Sequence, residues 1–225
     1  MILFTLIPTN IKGQVDSLQK KYEVISPLNE GLSCIKQNEK FGFVDEKGIV
    51  IIPIKYDEAH SFSDGYALVK LNNKFGYINS RDSLLIPLIF DELSFFNYGL
   101  ASFKKSGKLG LINKQAKEVF ECECAAIRIC EDGFFSIIKN NKIQFFNEKG
   151  NAISEIMFED GGCFSEGLAP TKIGSKWGFI DTNGKIVIPC KFDFANEFND
   201  NTAIVGIGDK MLRIDKMGKC IENCK

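Results

Sequence analysis

Lys40, Lys74, Lys108, Lys142, Lys176 and Lys210 stand at one fixed interval, 34 residues, along a 225-residue chain. A regular row of cations could bind an anionic glycan, nucleotide or peptide acid. A recurring acid, Glu23, Asp57, Asp91, Glu159 and Asp193, keeps nearly the same beat. Five acids for six lysines point to paired surface charge rather than an open stripe. A third constant is Asp45, Asn79, Asn113, Asn147, Asp181 and Asp215. These types bond their own backbone in turns, and their spacing lacks the every-second-residue acids of a calcium loop.

Eight cysteines allow thiol, disulfide or metal chemistry. Their phase within the interval favours core thiols. Cys122, Cys190 and Cys224 fall where Ile54, Leu88 and Ile156 fall, and Cys124 takes the place of Tyr56 or Phe90. Cys130 replaces Phe62, Phe96 and Phe164, and Cys220 replaces Val50, Leu84 and Ile186. Six of the eight therefore hold apolar slots, where a thiol acts as a small hydrophobe. Cys122-x-Cys124 is not zinc-knuckle spacing, and His60 is the one histidine, so no metal or cofactor is predicted. There is no Gly-x-Ser-x-Gly, phosphate-cradling glycine loop or His-Glu-x-x-His. Carboxylate pairs such as Glu121/Glu123 and Glu159/Asp160 are too common to define a glycosidase dyad. The expectation is no enzyme. Among aromatics, Tyr98 and Phe134 lie out of phase and are weak candidates for ligand stacking; the phased rings read as core.

The elements that carry these residues repeat. Gly42, Gly76, Gly110 and Gly178 keep the interval, with Gln144 and Leu212 in the two remaining slots. A fixed period of this size outranks other fold evidence. Units beginning at the aromatic before the acid are 22–55, 56–89, 90–123, 124–157, 158–191 and 192–225. In 56–89, Tyr66–Leu71, Lys74–Ile78 and Ser83–Ile86 read as strands, with Asn72-Asn73 as a turn and Pro87 stopping the third strand or pushing it to an edge. The predicted fold is all-β: six 34-residue β-meander repeats of three strands and a loop, in an open solenoid or superhelix. The alternative is a closed, six-unit propeller-like ring. Glycine inside a strand requires a close neighbour, and a packed aromatic is expected over it. The fourth unit, with Ile143-Gln144 and Glu155 in place of the proline, is expected to be the most degenerate and the most weakly packed.

Ser175-Lys176-Trp177-Gly178-Phe179-Ile180-Asp181, Gly184-Lys185-Ile186-Val187-Ile188-Pro189 and Phe164-Ser165-Glu166-Gly167-Leu168-Ala169 together resemble the WG repeat. Phe41, Phe75, Leu109, Ile143 and Met211 stand where Trp177 stands. The structural motif residues are Phe41, Gly42, Phe75, Gly76, Gly110, Trp177 and Gly178. The resemblance implies a bacterial β-rich repeat protein and transfers no catalytic residue.

Residues 1–21 precede the repeats. Met1 to Gln14 look like the end of an export signal lacking its charged start, or a fraying strand or truncated reading frame, and 15–21 a short lead-in helix. The compartment is open between export and cytoplasm. A net charge of −1 gives no pull toward nucleic acid or anionic membrane, and no stretch is long and apolar enough for a membrane helix. The function expected is a non-enzymatic binding or scaffold module for another protein or a cell-envelope polymer. The alternatives are a regulatory partner that stimulates a separate enzyme, and an enzyme with its site in the irregular segment Cys122–Cys130.

Overall fold

A computed structural model describes residues 21–224; the predicted export remnant and all but the last residue of the lead-in helix lie outside them. The described chain forms six antiparallel sheets in sequence order, five of four strands and the fourth of three. It divides into two compact units between Leu93 and Ser94. No helix among the described residues is long and apolar enough to cross a membrane.

The first unit shows how one repeat is made. Leu32–Gln37 and Lys40–Asp45 pair as a hairpin from Leu32↔Asp45 to Gln37↔Lys40. Its two turn residues, Asn38 and Glu39, both take positive φ, 50° and 59°. That is the turn geometry whose twist matches the flanking strands. Asn72 and Asn73 repeat it at 52° and 61°. Val50–Tyr56 then lies along the outer side of Lys40–Asp45. Its equivalent Leu84–Phe90 runs through Pro87 and takes the edge of its sheet, the second of the two outcomes expected of that proline. Tyr77 pairs with Ile86 and Phe75 with Phe90, so the single residue Gly76 on one strand faces Pro87, Leu88 and Ile89 on the other. The proline sits in that bulge on an edge strand, where its missing N–H leaves no gap in the ladder.

A fourth strand was not foreseen. Val24–Ile25 and Glu58–Ala59 close the far side of their sheets with two residues each. Runs this short carry no period-two signal for a sequence reading to detect.

The second unit holds Leu100–Lys105, Lys108–Asn113 and Glu118–Cys122 of the third sheet, then the fourth, fifth and sixth sheets. The fourth is Ala126–Ile129, Phe135–Lys139 and Lys142–Phe146. It lacks the proline-bearing strand and has only isolated bridges, Phe146↔Ala152 and Ile143↔Phe158, in its place. The expected degeneracy is therefore in its edge. Its interior is well packed: Phe135 and Phe146 stack at 5.1 Å, and Phe120 lies 5.0 Å and 4.7 Å from them.

Within each unit the core sits between consecutive sheets. In the first unit one cluster contains Leu32, Phe43, Ile52, Tyr56, Phe62, Ala67, Val69 and Ile78. In the second, Leu168, Phe179, Ile188, Phe192, Phe198, Ala203, Val205 and Ile214 form another. The second set is the first moved on by four repeats. Inside each unit a sheet thus obtains apolar cover from its neighbour, as in other repeat proteins. Polar links obey the same spacing. Gly65 donates its N–H to Glu30 at 3.0 Å, Asn201 to Glu166 at 3.0 Å, and Ser165 Oγ to the Phe198 carbonyl at 2.7 Å.

Candidate functional site

The recurring polar residues hold the frame together. Asp45 Oδ1 accepts the N–H groups of Lys47 at 2.9 Å and Ile49 at 2.8 Å. Asn79, Asn113, Asn147, Asp181 and Asp215 each accept the same two bonds, from residues two and four further on. Lys40 pairs with Asp57, Lys74 with Asp91, Lys142 with Glu159 and Lys176 with Asp193. Lys108 takes Glu121, because Ala125 holds the slot of the expected acid. Glu23 instead accepts the Asn38 N–H at 2.8 Å. Lys40 holds the Asp57 carboxyl below the usual range, and Lys176 with the Gly208 N–H does the same to Asp193.

The glycines are set by backbone. A Cβ on Gly42 would lie 2.7 Å from the Ile52 carbonyl, on Gly76 2.6 Å from that of Ile86, and on Gly178 2.4 Å from that of Ile188. The neighbour is the bulged proline strand. The predicted aromatic appears only at Gly110, where a Cβ would meet the Phe103 ring at 2.2 Å and the Phe120 carbonyl at 2.5 Å. Phe41, Phe75 and Trp177, all half-buried, precede three of these glycines. Each faces a lysine across its hairpin: Lys36 at 5.9 Å, Lys70 at 4.9 Å and Lys172 at 5.9 Å from the ring centroid. That cation lies over an aromatic ring at a distance where the attraction is real.

The cysteines depart from the core-thiol expectation. Cys122–Cys124, Cys130–Cys163 and Cys220–Cys224 are disulfides. Cys34 and Cys190 keep the expected thiol state, and burial pushes the Cys34 thiol up to about 11. The phase argument placed Cys130 correctly in a buried aromatic slot, since it is 1 % exposed. It considered each repeat alone, whereas Cys163 comes from the next repeat's loop, with the two Cα atoms 5.2 Å apart.

One cleft, about 520 Å³, opens between the fifth and sixth sheets, and Trp177 forms a wall of it. Gly161, Gly162, Ser165 and Pro170 line it from the fifth repeat, and 195–199 from the sixth. Its volume falls in the range of small-molecule sites, about 300–1,000 Å³. Trp177 also packs on the cluster of Leu168, Phe179 and Phe198, so the ring is fixed from behind. Glu197 is positioned by the Cys163 N–H, which donates to its Oε1 at 2.6 Å. Asn196 and Asn199 are tied by backbone bonds to Ile204 and Thr202, while their side-chain amides make no hydrogen bond among the described residues.

Arg128, one interval before Gly162, sends Nη1 to the Gly161 carbonyl at 3.1 Å and so links the fourth and fifth sheets. At the next junction the link comes from the other side: Glu197 of the sixth repeat takes the Cys163 N–H, and its Oε1 lies 2.9 Å from where a Cβ on Gly162 would stand. Sequence reasoning missed this cleft. Its signal was the doublet Gly161-Gly162, which stands where other repeats carry Ser26, His60, Ser94, Arg128 or Asn196. Tyr98 is exposed, as expected of an unphased ring, and Phe134 packs against Phe164 at 4.8 Å.

The WG containing repeat family matches residues 10–41, 41–75, 75–108, 110–142, 145–177 and 177–210. The chain belongs to that family. No curated protein matches the sequence. Among solved structures, it is similar to KlHsv2 with loop 6CD replaced by a Gly-Ser linker: 12 % identity, 80 % of this chain and 74 % of that one, TM-score 0.44. A eukaryotic initiation factor gives 11 % identity, 88 % and 63 % coverage, and TM-score 0.47. Hsv2 of Kluyvelomyces marxianus gives 11 %, 82 % and 75 %, and TM-score 0.44.

Proposed function

We propose that this chain is a non-enzymatic binding module that presents its repeat surface to another protein or a cell-envelope polymer. The observation that carries the reading is the Trp177 cleft. There, an aromatic ring fixed on the core meets Asn196 and Asn199, whose side-chain amides make no hydrogen bond among the described residues. The row of lysines supports it less, since five of the six are held in ion pairs to nearby acids. Exposed pairs of this kind contribute little energy but do neutralise a stripe.

The test is photo-cross-linking of the full chain to purified cell-envelope fractions, with the reactive group placed at Asn199. Cross-links to a discrete protein or polymer, competed by unlabelled chain, are the expected result. No competable cross-link, or turnover of a hydrolase substrate that one substitution within Cys122–Cys130 abolishes, would overturn the proposal.

A further inference from the structure

We infer that the Trp177 cleft is a subsite for a neutral sugar. The inference rests on the binding-module reading and goes further by naming the ligand. Three features of the cleft select this chemistry.

The first is the ring. A pyranose presents a face of C–H groups, and an indole is the largest flat apolar surface a side chain offers it. Trp177 is the one tryptophan in the chain, and it lines the cleft together with Gly161 and Gly162. Its indole N–H makes no hydrogen bond among the described residues, so the ring edge is also a donor.

The second is the polar rim. Asn196 and Asn199 each offer an amide N–H₂ and carbonyl, and Glu197 Oε2 adds an acceptor beside its engaged Oε1. Vicinal hydroxyls both donate and accept, and an amide matches both demands at once.

The third is charge. No lysine or arginine is among the described residues that line the cleft, and Glu197 is there. A phosphate or carboxylate in the cleft would meet that acid with no counter-charge from the lining, which disfavours anions. Lys172, whose Nζ lies over the Trp177 ring 5.9 Å from its centroid, is not among the lining residues. A cationic side chain would satisfy Glu197 and the ring, but would leave both asparagine amides unused.

Because Trp177 is the only tryptophan, its emission reports this site directly. The full chain is titrated with methyl glucoside, methyl galactoside, methyl mannoside and N-acetylglucosamine, and separately with acetyl-arginine amide. The expected result is a saturable change with at least one sugar at millimolar concentration and none with the arginine probe. Asn196→Ala and Asn199→Ala each weaken that affinity about three- to tenfold, the loss of one hydrogen bond. Both side chains are exposed, so their melting temperatures stay at the parent value. Trp177→Phe copies Phe41 and Phe75, keeps the core, and weakens binding about tenfold by calorimetry. Sugar binding that survives both asparagine variants unchanged would overturn the inference. So would a response to the arginine probe alone, although the binding-module reading would then stand. Silence toward every probe sinks the sugar, and the cross-linking result then decides the module reading by itself.

Discussion

Gly76→Ala tests the packing rule on which each sheet depends. The new Cβ would lie 2.6 Å from the Ile86 carbonyl and 2.9 Å from the carbonyl carbon and oxygen of Pro87. All three are backbone atoms, so no rotamer change relieves the clash. The sheet has two responses. It can strain in place, which costs about 1–3 kcal/mol for one extra methyl group in a filled site. Or it can release Leu84–Phe90, exposing Ile86 and Phe90, whose burial stabilises by about 1.5–3 kcal/mol each. Strain is the cheaper route. Set against it is the gain of about 0.4–1 kcal/mol from stiffening the unfolded chain. The net expectation is a loss of about 1–2 kcal/mol, or about 2–8 °C in melting temperature for a chain of this size. Thermal unfolding by circular dichroism measures the loss, and hydrogen exchange shows where the sheet gives, at the amides of 84–90. Gly206→Ala is the control. Gly206 also lies in a strand, Thr202–Ile207, but its Cβ would meet nothing nearer than Phe194 Cβ at 3.3 Å. Equal stability of the two variants, or unchanged exchange across 84–90 in Gly76→Ala, would refute the rule.

Three other outcomes are expected. Cys163→Ser opens a loop of 33 residues closed by the bond to Cys130 and should cost about 3–4 kcal/mol by chain entropy, read by urea denaturation against the oxidised parent; no shift would mean the pair is not bonded in solution. Thr171→Val should stabilise by about 1 kcal/mol, because Thr171 is 0 % exposed and its Oγ1 has no partner, while Ile35, Val69 and Val205 hold that slot elsewhere; a loss would reveal an unseen bond to the hydroxyl. Asp57 and Asp193 titrate below the ordinary carboxylate range in the folded chain, so the stability they contribute is present above about pH 4 and is lost as pH falls through their depressed values. Lys40→Met should flatten that acid limb of a stability-against-pH curve, and an unchanged limb would show that the pairing is not what depresses Asp57.

The repeats were legible because their most constant residues act locally. Asp45 and its five equivalents bond amides two and four positions ahead, and Lys40 reaches Asp57, the residue just past the end of the next strand. Such bonds recur at fixed spacing, and a single sequence displays them. The short outer strands were invisible because two residues have no pattern. The Cys130–Cys163 bond and the cleft were invisible for another reason. Both join side chains about one whole interval apart, where the partner is set by how loops of successive repeats stack. Aligning the repeats shows which residues are equivalent, and equivalent residues are not the ones that touch.

Departures from the motif follow the same geometry. Where the fourth repeat has Gln144 instead of glycine, its Cβ occupies the place where Gly42, Gly76 and Gly178 admit a carbonyl. No proline-bearing strand lies there, and the Gln144 amide reaches toward the Ser154 carbonyl at 3.5 Å. The sixth repeat has Leu212 at that position, and its edge strand is cut to Cys220–Glu222, pairing only through Arg213 and Ile214. In the first, second and fifth repeats the glycine and the seven-residue, proline-bearing edge strand occur together. The cleft follows a change of the same kind. Arg128 of the fourth repeat reaches forward to the Gly161 carbonyl, whereas at the next junction Glu197 of the sixth repeat reaches back to the Cys163 N–H, over a Gly162 whose Cβ would collide with it, beside the single tryptophan. A frame that repeats its contacts can acquire a site where one link changes direction, and glycine marks that place in the sequence.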